Sequence, residues 1–240
     1  MGKYFKRFEN HSQYEQYIQS ENYIKPNISI CNNGQEVHYN SLFVHDYIDL
    51  GLPSGTLWAT ENIKDANGND LYFAWGEAQG YTASQVGVDK NFSWADYGLA
   101  NGSSSSINKY NSTDGKTILE SEDDAAATLW GENWCMPTKE QFEELTANTT
   151  NTWITDGKIG ITFTSTINGN SVFFPALGAV DNSNMVGVSE FGMYWSRSLS
   201  TSGAYAGCDL YFFSGGVHIF NYNNRYEGRS VRPVKNLPNQ

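Results

Sequence analysis

Cysteine is scarce: three residues in 240, Cys31, Cys135 and Cys208, stand too far apart for a CxxC metal site and are odd in number, so free thiols are expected. The four histidines, His11, His38, His45 and His218, are equally scattered, with no HExxH or other ligand spacing, so no metal and no cofactor are expected. Basic residues are few as well. With 15 Lys and Arg against 26 Asp and Glu, the formal charge is −11, which opposes nucleic-acid backbones and anionic membranes alike. Nowhere do eighteen apolar residues run together, so no membrane insertion is expected. The N-terminus, MGKYFKRFENHSQYEQYI, has charge but no following apolar stretch, and the expected product is made in the cytoplasm without a signal peptide. Facing carboxylates are also missing: Asp123-Asp124 and Glu143-Glu144 are adjacent pairs, expected on or near the solvent side of helices and pointing in different directions. No catalytic residue is assigned, and the chain is not expected to be an enzyme.

What is present is tyrosine, glycine and turn chemistry, with 15 Tyr, 23 Gly and 15% aromatics beside only 17% charged residues. A chain of this length buries about 70% of its unfolded surface, enough for a proper core. Residues 1–44 read as a separate attachment segment. Ser12 with Glu15 forms a capping box for a short helix bearing Tyr14, Tyr17 and Ile18, and Asn32-Asn33-Gly34 turns a hairpin between residues 28–31 and 36–39. The main domain, 45–240, opens with strand residues around a Pro53/Gly55 turn and a further strand at 71–75. Residues 78–117 lack any period and read as long surface loops, with Ser103 to Ser106 as a flexible tip. Two helices follow: one opened by Ser121 with Asp124 and stopped at Gly131, one capped by Thr138 with Gln141 and burying Phe142 and Leu145. From Ile159 onward short strands alternate with Gly/Asn/Ser turns, so the fold class is α+β with antiparallel strands.

WGENWCMPT (130–138) with KEQFEEL after it resembles the WG-x-x-W-R-M-P-T-x-x-E motif of the Fibrobacter succinogenes major paralogous domain family. YIDLGLPSGTLWATENI (47–63), YFAWGE (72–77), FFPALG (173–178), YWSRSL (194–199) and RYEGRSVRPV (225–234) extend the likeness in order over about 190 residues; Cys135 stands where the family has arginine. The resemblance implies a C-type-lectin-like fold of the formylglycine-generating-enzyme variety. It also implies kinship with variable proteins of diversity-generating retroelements of gut Bacteroides and their phages. The formylglycine activity needs a second cysteine beside Cys208, and none stands near it in sequence; the Glu-Pro-Asn type motif of calcium-dependent lectins is absent. Residues 1–44 are similar to leader segments of Bacteroides-phage structural proteins, which implies a virion-associated product attached through that segment.

In LYFFSGGVHIF (210–220), alternation that turns Leu210, Phe212, Val217 and Ile219 inward turns Tyr211, Phe213, His218 and Phe220 outward. Rings on a solvent face point to a binding surface. The flanking Ser202, Gly203, Ala204, Tyr205 and Ala206, the strand residues Cys208 and Asp209, the turn Gly216, and Asn221, Tyr222 and Asn223 complete a candidate ligand-binding region over about 200–224, rich in the Tyr/Ser/Gly/Asn chemistry of paratopes. Retroelements of this kind turn AAC codons into NNC codons, which never encode Lys, Glu, Gln, Trp or Met. Those five types make 43 of the 240 residues, so 27 positions would hold about 5 by composition, and Ser200 to Tyr226 holds none. Arg229 and Arg232 are expected to hold the last strand by bonding to carbonyls or acids, and Val231, Val234, Tyr194 and Trp195 to be core. The expected role is a phage receptor-binding, tail-tip or surface-display component that recognises a host-surface protein or glycan, with several copies raising avidity. A fixed-sequence adhesion or carbohydrate-binding module of the same fold is the alternative.

Overall fold

The computed structural model describes residues 45–131 and 133–235, except the side chain of Asn221, together with the backbone of 29–32 and 35–38. The chain divides into two compact units, Met1–Val44 and His45–Gln240. In the first, strand β1 (Ser29–Asn32) pairs antiparallel with β2 (Gln35–His38), Ile30 opposite Val37. The helix expected around Ser12 to Ile18 lies outside the described residues.

The second unit is mixed α and β, with mostly antiparallel strands and two helices among the described residues. Strands β3 (Tyr47–Asp49) and β4 (Leu57–Ala59) flank the Pro53/Gly55 turn, and the late strand β13 (Val234–Lys235) pairs with β4, Val234 opposite Trp58. The start and end of the domain are thereby sewn together. A second sheet joins β5 (Thr149–Ile154), β6 (Gly160–Ser165) and β7 (Ser171–Pro175), and β8 (Ala179–Asp181) pairs with β9 (Asn184–Val186). The third sheet joins β10 (Phe191–Leu199), β11 (Ala206–Phe213) and β12 (Gly216–Asn224). No helix among the described residues is long and apolar enough to cross a membrane.

Helix α1 (Ala125–Trp130) starts one residue after Asp124, which is the N-cap; the expected opening at Ser121 is wrong. Asp124 Oδ1 accepts from the Ala126 and Ala127 amides at 3.0 and 3.1 Å and, with Oδ2, from the Met136 amide. It is fully buried, not near solvent as expected. A helix of six residues cannot sustain itself, and a buried carboxylate that also binds the next segment holds it from outside. Helix α2 (Lys139–Ala147) has the reciprocal box foreseen in the sequence, Gln141 N to Thr138 Oγ1 and Thr138 N to Gln141 Oε1, with Phe142 and Leu145 buried.

Two apolar clusters carry most of the interior. One gathers Trp58, Phe142, Phe163, Phe174, Tyr194, Leu210 and Phe212 beneath the third sheet; the other gathers Phe73, Trp75, Tyr110, Met136, Trp195 and Val231. Residues 71–75, expected as a strand, are buried throughout but make only single bridges, Tyr72 with Tyr81 and Phe73 with Arg229. Their neighbours are loops that meet them one residue at a time, so no ladder propagates. Loops 78–117 are irregular as expected, yet they are not all surface: Phe92, Tyr97 and Tyr110 are buried anchors. Their aromatic bodies leave water while the Tyr97 hydroxyl donates to the Trp75 carbonyl at 2.6 Å.

Candidate recognition face

The β11–β12 hairpin sets Tyr211 across from His218, Phe212 from Val217, Leu210 from Ile219 and Phe213 from Gly216. Because side chains alternate, one such register sends two families of residues to opposite sides. Leu210 and Phe212 are wholly buried, and Val217 and Ile219 pack against the same cluster, as the alternation predicts. The other family forms a row of rings. Tyr211 lies 5.3 Å from Phe220 and 5.6 Å from Phe213, His218 lies 5.8 Å from Phe220 with planes 8° apart, and Tyr222 extends the row 5.1 Å beyond Phe220. His218 and Tyr222 are exposed; Tyr211, Phe213 and Phe220 are half-buried, largely against one another. Neighbouring rings with nearly parallel planes use their faces on each other and offer edges, hydroxyls and imidazole nitrogens outward.

The row reaches onto a third strand. Phe191 of β10 stands 5.5 Å from Tyr211, and Met193 lies directly opposite Tyr211. Neither belongs to the segment singled out in the sequence. Alternation along β10 sets both on the side opposite the buried Tyr194, and the pairing with β11 makes that the side of Tyr211. Gly187 supports Phe191, since a Cβ there would fall 1.8 Å from the Phe191 ring; a backbone φ of +66° also favours glycine.

The same side of the sheet is sealed at its other end. Trp195 and Asp209, paired across β10 and β11, continue the outward family, yet both are fully buried beneath the second apolar cluster. Trp195 Nε1 donates to the Phe73 carbonyl at 2.8 Å and Trp75 Nε1 to the Ser196 carbonyl at 2.8 Å, so the early loops lie directly on the strand. The Arg229 guanidinium sits 4.0 Å above the Trp195 ring, with Nη1 2.9 Å from Asp209 Oδ2; Nη2 contacts Glu227. Asn223 donates to Asp209 Oδ2 at 2.8 Å, a contact made possible by a bulge that shifts β12 by one residue between Gly207 and Asp209. Burial pushes the Asp209 carboxyl up to about 6, outweighing the attraction of Arg229.

Three residues assigned to the surface are therefore corrected. Ala206 and Cys208 share the side of Leu210 and Phe212 and are buried, as strict alternation requires; Asp209 faces outward but is covered. Ser202 and Tyr205 are exposed, Gly203 and Ala204 half-buried, in a turn that makes no ring contact with the row among the described residues. Gly216 closes the hairpin half-buried, Asn223 is half-buried on Asp209, and the side chain of Asn221 lies outside the described residues.

The frame is built from buried arginines. Arg232 donates to Asn62 Oδ1 and to the carbonyls of Ala59 and Phe173, each at 2.9 Å. Arg225, also buried, donates to the Tyr97 hydroxyl and to the carbonyls of Lys109 and Ala204 while lying 4.5 Å over Trp75. Multiple fixed acceptors offset the cost of burying each cation. Cys135 and Cys208 are free thiols; burial raises both, Cys208 to about 11, which keeps the sulfur protonated and a poor nucleophile at neutral pH. The carboxylates of Glu120, Glu122 and Asp123 converge, but on the Lys109 ammonium, 2.8 Å from Glu120 and 3.2 Å from Glu122. A cation is thus already in place there. Compared with known proteins, the chain matches no family model, no curated protein and no solved structure, leaving the geometry of the third sheet as the ground for its function.

Proposed function

We propose that this protein is a non-enzymatic recognition protein whose outward ring row binds a ligand on another cell's surface. The observation that carries the reading is the row itself: Phe191, Tyr211, Phe213, His218, Phe220 and Tyr222 side by side on the open side of a sheet whose other side is core. Rings at strand positions offer large contact area with little side-chain entropy to lose. Contiguous aromatic surface on a water-exposed face is characteristic of interaction sites. The buried arginines and the apolar clusters supply a framework that does not depend on which residues occupy the outward positions.

The sequence resemblance supports a finer reading, a retroelement-diversified variable protein with a C-type-lectin-like fold, displayed on a phage tail tip or a similar surface through residues 1–44. The absence of Lys, Glu, Gln, Trp and Met between Ser200 and Tyr226 supports it too. The alternative, a fixed-sequence adhesion or carbohydrate-binding module, places no demand on codons. Sequencing the gene across isolates separates the two. On the proposed reading, substitutions cluster at 211, 213, 218, 220 and 222 and spare Leu210, Phe212 and Ile219, and a near-identical repeat differing at adenines lies beside a reverse-transcriptase gene. Uniform drift over core and row, with no such repeat, overturns it.

A further inference from the structure

A cleft of about 400 Å³ opens between the loops 104–113 and the turn at Ala204, with no part in the ring row. Clefts of roughly 300–1,000 Å³ are the size that small ligands occupy. Its lining is neutral and rich in hydrogen-bonding groups: the hydroxyls of Ser104, Ser105, Ser112 and Thr113 and the amide of Asn111. Ile107 and Ala204 add two small apolar contacts.

These loops are not loosely held. The Arg225 guanidinium bonds the Ala204 carbonyl at 2.8 Å and the Lys109 carbonyl at 3.1 Å, tying the two walls of the cleft to one buried group. Asp114 accepts from the Tyr110 and Asn111 amides, and Asn111 donates to the Ile107 carbonyl and accepts from the Thr113 amide. Ser105 shares its hydroxyl with Ser103. The exposed Ser104, Ser112 and Thr113 therefore stand on a backbone held by these bonds.

We propose that this cleft is a binding site for a neutral oligosaccharide, distinct from the ring row. Sugars present alternating hydroxyls and apolar C–H faces, which match the neutral hydroxyls of Ser104, Ser105, Ser112 and Thr113 beside the apolar Ile107 and Ala204. A chain of formal charge −11 with no cation in the lining disfavours acidic glycans and phosphates. In the row, Tyr211 and His218 stack on Phe220, which takes those ring faces away from a pyranose.

The test is an array of neutral and acidic oligosaccharides probed with the full chain, followed by calorimetric titration of the best ligand. Ser104→Trp and Ser112→Trp fill the cleft from exposed positions, and Val88→Trp, at an exposed position outside it, is the control; thermal melting checks that each folds. The expected result is retention of a neutral oligosaccharide, weakened at least tenfold by each filling variant and unchanged by Val88→Trp. Three results overturn the proposal: no neutral oligosaccharide retained, preference for acidic ones, or loss of binding in Phe220→Ser with both filling variants unaffected. The reading of the ring row survives each of these failures: its own test is sequence variation, and the last result would seat the sugar on the row itself.

Discussion

The two ends of the β10–β11–β12 sheet obey one alternation and meet different fates. At one end Trp195 and Asp209 point away from the main core and are sealed under loops; at the other Phe191, Tyr211, Phe213, His218 and Phe220 point the same way and meet solvent. What differs is the cover. The loops that carry Phe73, Trp75 and Tyr110 stop over Trp195, so a surface made of rings begins where the second cluster ends. Direction relative to the sheet and exposure to water are separate properties, and only the second leaves rings open to a ligand.

Perturbing the sealed end should cost the most. Arg229→Met leaves Asp209 buried without its ion pair and is expected to destabilise the fold by about 3–5 kcal/mol, read as a lower urea midpoint with an unchanged slope. A midpoint within experimental scatter of the parent would show that the end is open after all.

Next in size is a pH effect. The folded-state carboxyl of Asp209 is raised to about 6 from 3.8, so between these values the folded chain binds more protons than the unfolded one. Its contribution is therefore fully present below about 4 and is lost as pH rises through about 6, a change on the order of 2–3 kcal/mol. Other carboxylates, such as Glu120, are shifted downward and slope the opposite way. The expected outcome is consequently a difference: the unfolding free energy of the parent minus that of Asp209→Asn should fall across pH 4 to 6. A flat difference would mean that Asp209 is solvated.

The smallest effect belongs to the open end. Tyr211→Ser or Phe220→Ser removes ring contacts worth about 1 kcal/mol in a half-exposed site, and chemical denaturation should register little more than that. A loss of 3 kcal/mol or above would mark the row as core and erase the contrast between the ends.

Much of this was legible in residues taken a few at a time. Thr138 and Gln141 announce the start of α2, and Leu210, Phe212, Val217 and Ile219 announce an inner side, because capping and alternation are local rules. Ala206 and Cys208 were legible by the same rule and were misassigned by giving composition precedence over period. Phe191 and Met193 needed the pairing of β10 with β11 before they could join the row. Asp124 as the N-cap of α1 could not be separated from Ser121 by spacing alone, since its decisive bond is to Met136, twelve residues away.

By itself the sequence determined which residues share a side of each strand, where α2 begins, that the class is mixed α and β, and that the late aromatics fall together. These follow from interactions within a turn or two of chain. Only the tertiary structure decided which outward residues are covered, which arginines brace the frame, and that loops at 104–113 and a turn at Ala204 enclose a cleft. Contacts such as Trp75 with Ser196 and Arg225 with Lys109 span more than a hundred residues, and no local period or cap encodes them.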